Sequence, residues 1–238
     1  MSSVAIVTLF PGLLGTYGDS GNALALTHRL EARGFSAVCP TVAAGDPIPL
    51  EGDVYLLGGG EDRAQVTALR SIGSALDRAV ERGAAVLGVC AGFQLLGTSF
   101  SDGTKERTGL GLLDVVTNRM PTRAVGDVIV DPTLPIEPLV GFENHRGGTV
   151  LGPGAQPLGT VVVGTGNDGS GHEGAMQGSV FGTYLHGPVL ALNPGFADLL
   201  LSRVVGELPE LEDPWVQAAR SVRLARLSSR PTQDGRRR

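Results

Sequence analysis

Apolar residues in this chain fall in short unbroken runs rather than in alternation with polar ones. Val4–Phe10 (VAIVTLF), Val54–Leu57 (VYLL) and Ala84–Val89 (AAVLGV) are continuous and partly β-branched, the pattern of strands buried on both faces in a parallel sheet. A helix is predicted over 22–33, with Asp19 and Ser20 as N-cap candidates and Gly34 as its stop. Val66, Leu69, Ile72, Leu76 and Val80 share one face of a single helix predicted over 65–82. A further helix, 91–100, leaves the third strand. Strand alternating with helix predicts a three-layer α/β domain with a mostly parallel central sheet.

The pattern changes near Gly109. Leu112–Val116, Val125–Val130, Val161–Gly164 and Ser179–Tyr184 read as shorter strands joined by glycine-rich loops, so this half is expected to be more antiparallel. Pro214 opens a last helix to about Leu227, with Trp215, Ala219, Val222 and Leu227 on one side. The expected division is one domain over 1–205, followed by a C-terminal helix and a basic, disordered tail over 206–238.

Composition narrows the function. A net charge of −5 leaves no basic footprint for nucleic acid, and Arg236–Arg238 at the chain end read as a solvated terminus. The apolar runs fall far short of the roughly 18 residues needed to span a bilayer. Two cysteines, Cys39 and Cys90, make no disulfide framework, and Met1-Ser2-Ser3-Val4 lacks signal-peptide features, so a cytoplasmic protein without membrane insertion is expected. No metal site is expected. The only lysine, Lys105, follows Thr104, so the chain has no phosphate loop of the G-x-x-x-x-G-K-[ST] type.

The strongest chemical signal is GVCAGFQ at 88–94, set between a predicted strand and a predicted helix. Small residues two before and two after a cysteine let the backbone turn sharply and lift the sulfur to the carboxyl edge of the sheet. A helix N-terminus there favours the thiolate. Cys39 has no such setting and is expected in the core. A cysteine nucleophile needs a base. His28 lies within a helix and His172 in a loop, while His145 (GFENHRG, 141–147) and His186 (GTYLHGP, 182–188) both suit the role. His186 is favoured because it ends a strand. Backbone N–H groups of Gly59 and Gly60, after the strand Val54–Leu57, and of Ala91 at the elbow are candidate oxyanion donors.

GVCAGFQ together with YLHG at 184–187 resembles the class I glutamine amidotransferases of the cobyric acid synthase type. The resemblance is closest to the stand-alone glutaminase subunits of lipid II isoglutaminyl synthases. It extends to GTYGDSGN (15–22), GGGEDR (58–63), RAVGD (123–127) and GFENHRG (141–147), and covers roughly residues 4–205. It implies a three-layer, flavodoxin-like amidotransferase fold with Cys90 as nucleophile, His186 as base and Arg123 as the glutamine-recognition residue. A guanidinium can hold the α-carboxylate of L-glutamine in a bidentate manner. It further implies a Mur-ligase-like synthetase partner that carries ATP and any metal, and amidation of the D-glutamate of lipid II to D-isoglutamine. Many class I members carry Glu two residues after the histidine, but here that residue is Pro188. The third triad member is then supplied from elsewhere in the chain, by an Asp or Glu of the partner, or not at all, and a partner carboxylate beside His186 is the expectation. An amidotransferase subunit for another acceptor, or a non-catalytic α/β protein that retains the elbow, are the alternatives.

Overall fold

The structure is a computed structural model that describes residues 3–228. In chain order its elements are β1 (Val4–Leu9), α1 (Gly21–Glu31), β2 (Ala37–Val38), β3 (Thr41–Val42), β4 (Val54–Leu57), α2 (Asp62–Ile72), α3 (Ala75–Glu81), β5 (Ala85–Val89), α4 (Ala91–Leu96), β6 (Ser99–Ser101) and β7 (Glu106–Thr108). There follow β8 (Val115–Pro132), β9 (Leu139–Leu151), β10 (Gly159–Val163), β11 (His172–Glu173), β12 (Ala175–Gln177), β13 (Val180–Thr183), α5 (Val189–Leu192), α6 (Pro194–Val205) and α7 (Pro214–Ser228).

The first sheet runs β12-β13-β5-β4-β1-β2, with β3 also pairing β1. Every pair except β12·β13 is parallel. The central strands β4, β5 and β13 are buried at every position, which is why β4 and β5 are unbroken apolar runs, while the polar Thr183 at the end of β13 is satisfied by Glu173. Helices α1, α5 and α6 pack with one another, α2 packs with α4, and both α4 and α6 rest on β5. The sheet therefore lies between two helical layers, as the strand-helix alternation predicts. The second sheet is mostly antiparallel and is dominated by the β8·β9 hairpin, whose register shifts between Arg119 and Ala124. Among the described residues no helix is long and apolar enough to cross a membrane.

Several expectations change. The helix expected over 65–82 is two helices, because Gly73 adopts φ +53° and ends α2. The helix expected over 91–100 stops at Leu96, and Ser99–Ser101 joins the second sheet instead. Of the short strands expected after Gly109, those near 161–164 and 179–184 form as β10 and β13, those at 112–116 and 125–130 merge into the single long strand β8, and β9 is an additional strand. Helix α7 forms where expected but faces the other way. Trp215 and Val222 are 84% and 72% exposed, whereas Arg220 is buried. Arg220 donates to the carbonyls of Leu192 and Pro138 and to Asn193 Oδ1, each at 2.7 Å. The expected tail lies outside the described residues from 229 onward.

Candidate active site

The polypeptide turns at Cys90 with φ +52° and ψ −102°, a conformation that non-glycine residues rarely adopt. Hydrogen bonds fix both sides of the turn: the Cys90 N–H donates to Thr183 O (2.8 Å) and the Gly92 N–H to Gly58 O (3.1 Å). The flanking glycines are required by close backbone approach. A Cβ on Gly88 would lie 2.6 Å from the Gly92 carbonyl carbon, and one on Gly92 would lie 2.4 Å from Leu57 O. This is the strand-elbow-helix geometry that GVCAGFQ predicts. The helix behind it has only six residues, so its dipole contributes less to the thiolate than a full-length helix would.

Because β13 pairs with β5 in parallel, with Thr183 opposite Val89, the chain after β13 emerges beside the elbow. His186 sits there, its backbone paired with Phe142 (N–H to O, 2.8 Å; Phe142 N–H to His186 O, 3.2 Å). Its ring stacks on Phe142 at 5.3 Å and meets Tyr17 at 4.8 Å. Gly59 lies between His186 and Cys90: a Cβ on it would be 2.9 Å from His186 Cε1 and 3.5 Å from Cys90 Cβ. The buried His186 Nε2 has no hydrogen-bond partner, which leaves it able to take a proton.

His145 occupies a different setting. It stacks flat on Tyr184 at 3.7 Å and 9°, and its Nδ1 lies 2.8 Å from Gly147 O. Its Nε2 is 3.5 Å from Glu143 Oε2, close enough for an ion pair but without the alignment of a hydrogen bond. Burial acts to raise the Glu143 pKa, but His145 and the N–H groups of Thr165 and Gly166 outweigh it and hold the carboxyl below its usual range. His145 is thus tied into the hairpin, and geometry favours His186 as the partner of Cys90.

Of the two N-cap candidates for α1, Asp19 is not the cap. Ser20 holds the N-cap position without a side-chain cap bond. Asp19 instead places Oδ1 3.4 Å from His186 Nδ1 and accepts the Gly59 N–H at Oδ2, 2.6 Å away. With side-chain exposures of 0% for His186 and 3% for Asp19, the Nδ1 side of the ring is enclosed by this chain. A carboxylate of this chain, from the loop after β1, thus stands beside His186, where Pro188 supplies none. The same carboxylate bears on Gly59 as an oxyanion donor. Its N–H is engaged by Asp19, which leaves Gly60 and Ala91 as the oxyanion candidates.

A cleft of about 540 Å³ opens in front of Cys90 and is also lined by Tyr17, Gln94, Arg123, Asn144 and His145. Arg123 lies in the stretch where the β8·β9 register shifts. Its Nε donates to Asn144 Oδ1, and Asn144 Nδ2 donates to the Tyr17 hydroxyl, both at 2.5 Å. These contacts hold the guanidinium at the mouth. Beneath the cleft, Gln65 Nε2 donates to Gln94 Oε1 (2.5 Å), and Gln94 Nε2 donates to the Tyr184 hydroxyl (3.2 Å). That hydroxyl also lies 2.7 Å from Thr149 Oγ1. Burial, with a smaller effect from nearby Cys90, pushes the Tyr184 phenol well above its usual pKa and keeps it neutral. Glu173, fully buried, accepts from the Tyr184 N–H (2.7 Å) and the Thr183 hydroxyl (3.0 Å), anchoring the segment that leads to His186. Burial pushes its pKa up to about 7 against those donors.

Of the predicted site residues, Cys90, Arg123 and Gly60 line the cleft, as does His145, while His186 lies across Gly59 from Cys90; the sequence singled out neither Tyr184, Asn144 nor Glu173, and Asp19 only as a cap. The GTYGDSGN stretch was the available signal for Asp19, but a polar residue just before a helix reads equally well as a cap. Among the described residues no group of His, Cys, Asp or Glu could hold a metal ion.

An amide carbonyl in this cleft can be attacked by the Cys90 sulfur while His186 carries the displaced proton, which is the requirement of acyl transfer to cysteine. Fold and cleft together therefore define a cysteine-dependent acyl-transfer enzyme on an open α/β sheet. Comparison with known proteins makes the assignment specific. The sequence profile of the CobB/CobQ-like glutamine amidotransferase domain matches residues 5–194, and the chain belongs to that family as a glutamine-hydrolysing amidotransferase. It is 36% identical over 210 residues to the lipid II isoglutaminyl synthase (glutamine-hydrolyzing) subunit GatD of Staphylococcus aureus (strain N315), covering 85% of each chain. The GatD subunit of Streptococcus pneumoniae (strain ATCC BAA-255 / R6) is 34% identical over 222 residues, covering 87% of this chain and 85% of that one. The cobyric acid synthase of Sphingopyxis alaskensis (strain DSM 13593 / LMG 18877 / RB2256) is 36% identical over 174 residues, covering 68% of this chain but 34% of the synthase. A crystal structure of a glutamine amidotransferase shares the fold, with a TM-score of 0.56 and 22% identity over 83% of this chain and 98% of that one.

Proposed function

We propose that this chain is the glutaminase subunit of a lipid II isoglutaminyl synthase. The observation that carries the reading is the end-to-end similarity to two GatD subunits, 85% of the length of each, against about a third of a cobyric acid synthase. In the proposed reaction Arg123 holds the α-carboxylate of L-glutamine and the Cys90 thiolate adds to the side-chain amide carbon. The N–H groups of Gly60 and Ala91 receive the oxyanion. His186 Nε2 takes the thiol proton and returns it to the leaving nitrogen, so that ammonia departs and a thioester remains. Water, deprotonated by the same nitrogen, then releases L-glutamate. Asp19 fixes the Nδ1–H tautomer and stabilises the imidazolium, the role of the carboxylate in a Ser-His-Asp triad.

A Mur-ligase-like synthetase subunit, carrying ATP and any metal, would activate the α-carboxylate of the lipid II D-glutamate and receive the ammonia, on the cytoplasmic side of the membrane. The test is to purify the tagged subunit from its native cell, identify the co-purifying chain, and supply the complex with lipid II, ATP and amide-¹⁵N-labelled glutamine. Transfer of the label into the stem peptide is the expected result. A complex that labels a corrinoid carboxylate and leaves lipid II unchanged would establish instead the second reading, which the partial similarity to cobyric acid synthases supports.

A further inference from the structure

Glutamine enters any active site as a zwitterion, so an anion-binding group such as Arg123 answers only one of its two charges. Among the described residues lining the cleft, four are arginines (Arg63, Arg119, Arg123 and Arg146) and one, Glu61, is a carboxylate. Without that carboxylate, every charged side chain that an ammonium group met among these described residues would be positive.

Glu61 is also placed to serve. It occupies the N-cap position of α2 in extended backbone (φ −81°, ψ 160°) and makes no side-chain cap bond. Its carbonyl accepts the Gln65 N–H at 3.1 Å, and Gln65, one turn on, lines the same cleft. Positions i and i+4 share a helix face, so the start of α2 turns both side chains toward the cleft. The residue before it, Gly60, is locked: a Cβ there would lie 2.7 Å from Leu13 O. The Glu61 Cα is therefore held by packing on one side and by the first helical turn on the other.

We propose that Glu61 receives the α-ammonium group of glutamine. This rests on the glutamine-hydrolysis reading and adds a second determinant to it. With the carboxylate at Arg123, the ammonium at Glu61 and the amide carbon at Cys90, three points on three different elements fix the α-carbon. Such an arrangement distinguishes L-glutamine from its enantiomer and from compounds lacking the amine.

The experiment compares wild type with Glu61→Gln in two measurements. The first is ammonia release from L-glutamine; KM should rise roughly 10- to 100-fold, the range of a lost charge-assisted hydrogen bond, with kcat changed far less. The second is alkylation of Cys90 by 6-diazo-5-oxonorleucine, which carries the α-ammonium, and by iodoacetamide, which does not. The diazo reagent should slow by a similar factor and iodoacetamide should not. A role confined to helix capping would lower the melting temperature while leaving KM and both alkylation rates unchanged, and would overturn the proposal. Equal slowing of both reagents would overturn it too, since the thiol itself would then be disturbed. Wild type that neither hydrolyses glutamine nor reacts with the diazo reagent would instead overturn the glutamine reading, and the Glu61 role with it.

Discussion

Asp19→Asn isolates the contribution of the carboxylate behind His186, because it removes the charge and keeps the shape. At 3.4 Å between Asp19 Oδ1 and His186 Nδ1, the attraction between carboxylate and imidazolium is about 5 kcal/mol at an effective dielectric of about 20, an upper bound on what the charge contributes. A second effect acts in the same direction. Oδ2 accepts the Gly59 N–H at 2.6 Å, so an asparagine must keep its oxygen there and turn its NH₂ toward Nδ1. That amide can only donate, which forces the imidazole into the tautomer with its proton on Nε2, the nitrogen needed as base. The corresponding change in a serine protease costs about 10⁴-fold in kcat. The long 3.4 Å contact argues for a smaller loss here, about 10²- to 10³-fold in kcat for ammonia release. Part of the loss should be recovered as the pH rises past about 8.5, where a free thiol ionises without a base. The assay is glutamine hydrolysis against pH for both proteins, alone and with the synthetase, with melting curves to confirm the fold. Activity within about threefold of wild type for Asp19→Asn alone would refute the argument. So would a full loss that adding the synthetase restores, since the carboxylate would then come from the partner.

Cys90→Ala should abolish hydrolysis and remain folded while Cys39→Ala keeps most activity. Cys90→Gly should melt above Cys90→Ala, by about 1 kcal/mol or more, because it relieves the φ of +52°; equal melting temperatures would remove the strain from the account. Arg123→Ala should lower kcat/KM for glutamine by roughly 1.5 to 3 kcal/mol in transition-state binding, and Arg123→Lys should rescue it poorly; unchanged kinetics in both would make Arg123 an ordinary surface residue. Glu173 gives a pH signature. Its pKa is raised from 4.5 to about 7 in the folded protein, so between those values the folded state binds more protons than the unfolded chain. Its contribution to stability therefore falls as pH rises from about 4.5 to 7, by up to about 3 kcal/mol, and is level above. Urea midpoints measured across that range should slope less in Glu173→Gln, and identical slopes would contradict the shift.

The legible parts of this protein were those in which one residue type has one physical use. Gly88 and Gly92 can be read because a sharp elbow tolerates no Cβ on either, and the backbone atoms that a Cβ would strike belong to the turn itself and to the neighbouring strand. The central strands β4 and β5 can be read because burial on both faces makes them almost wholly apolar. Leu96 marks where such reading stops. The apolar content of 91–100 suits a helix, yet Ser99–Ser101 gains ladder partners in β7 and β8, and the helical periodicity that continues past Leu96 conceals that pairing.

Asp19 and α7 show the same limit from the side of polar residues. A carboxylate before a helix and an apolar stripe along one each carry a strong local meaning, and in both cases a tertiary contact overrides it. The orphan acceptors at the end of α5 and before β9 recruit Arg220, and leaving buried carbonyls unpaired would cost roughly 1 to 3 kcal/mol each. Satisfying them turns Trp215 and Val222 outward. Asp19 likewise meets the buried Gly59 N–H and His186 Nδ1 together, whereas the first N–H groups of α1 already bond to the carbonyls of Gly18, Asp19 and Ser20. On the proposed mechanism Asp19 would be the third member of the triad, and the lack of a carboxylate at Pro188 is then compatible with a complete active site within this one chain.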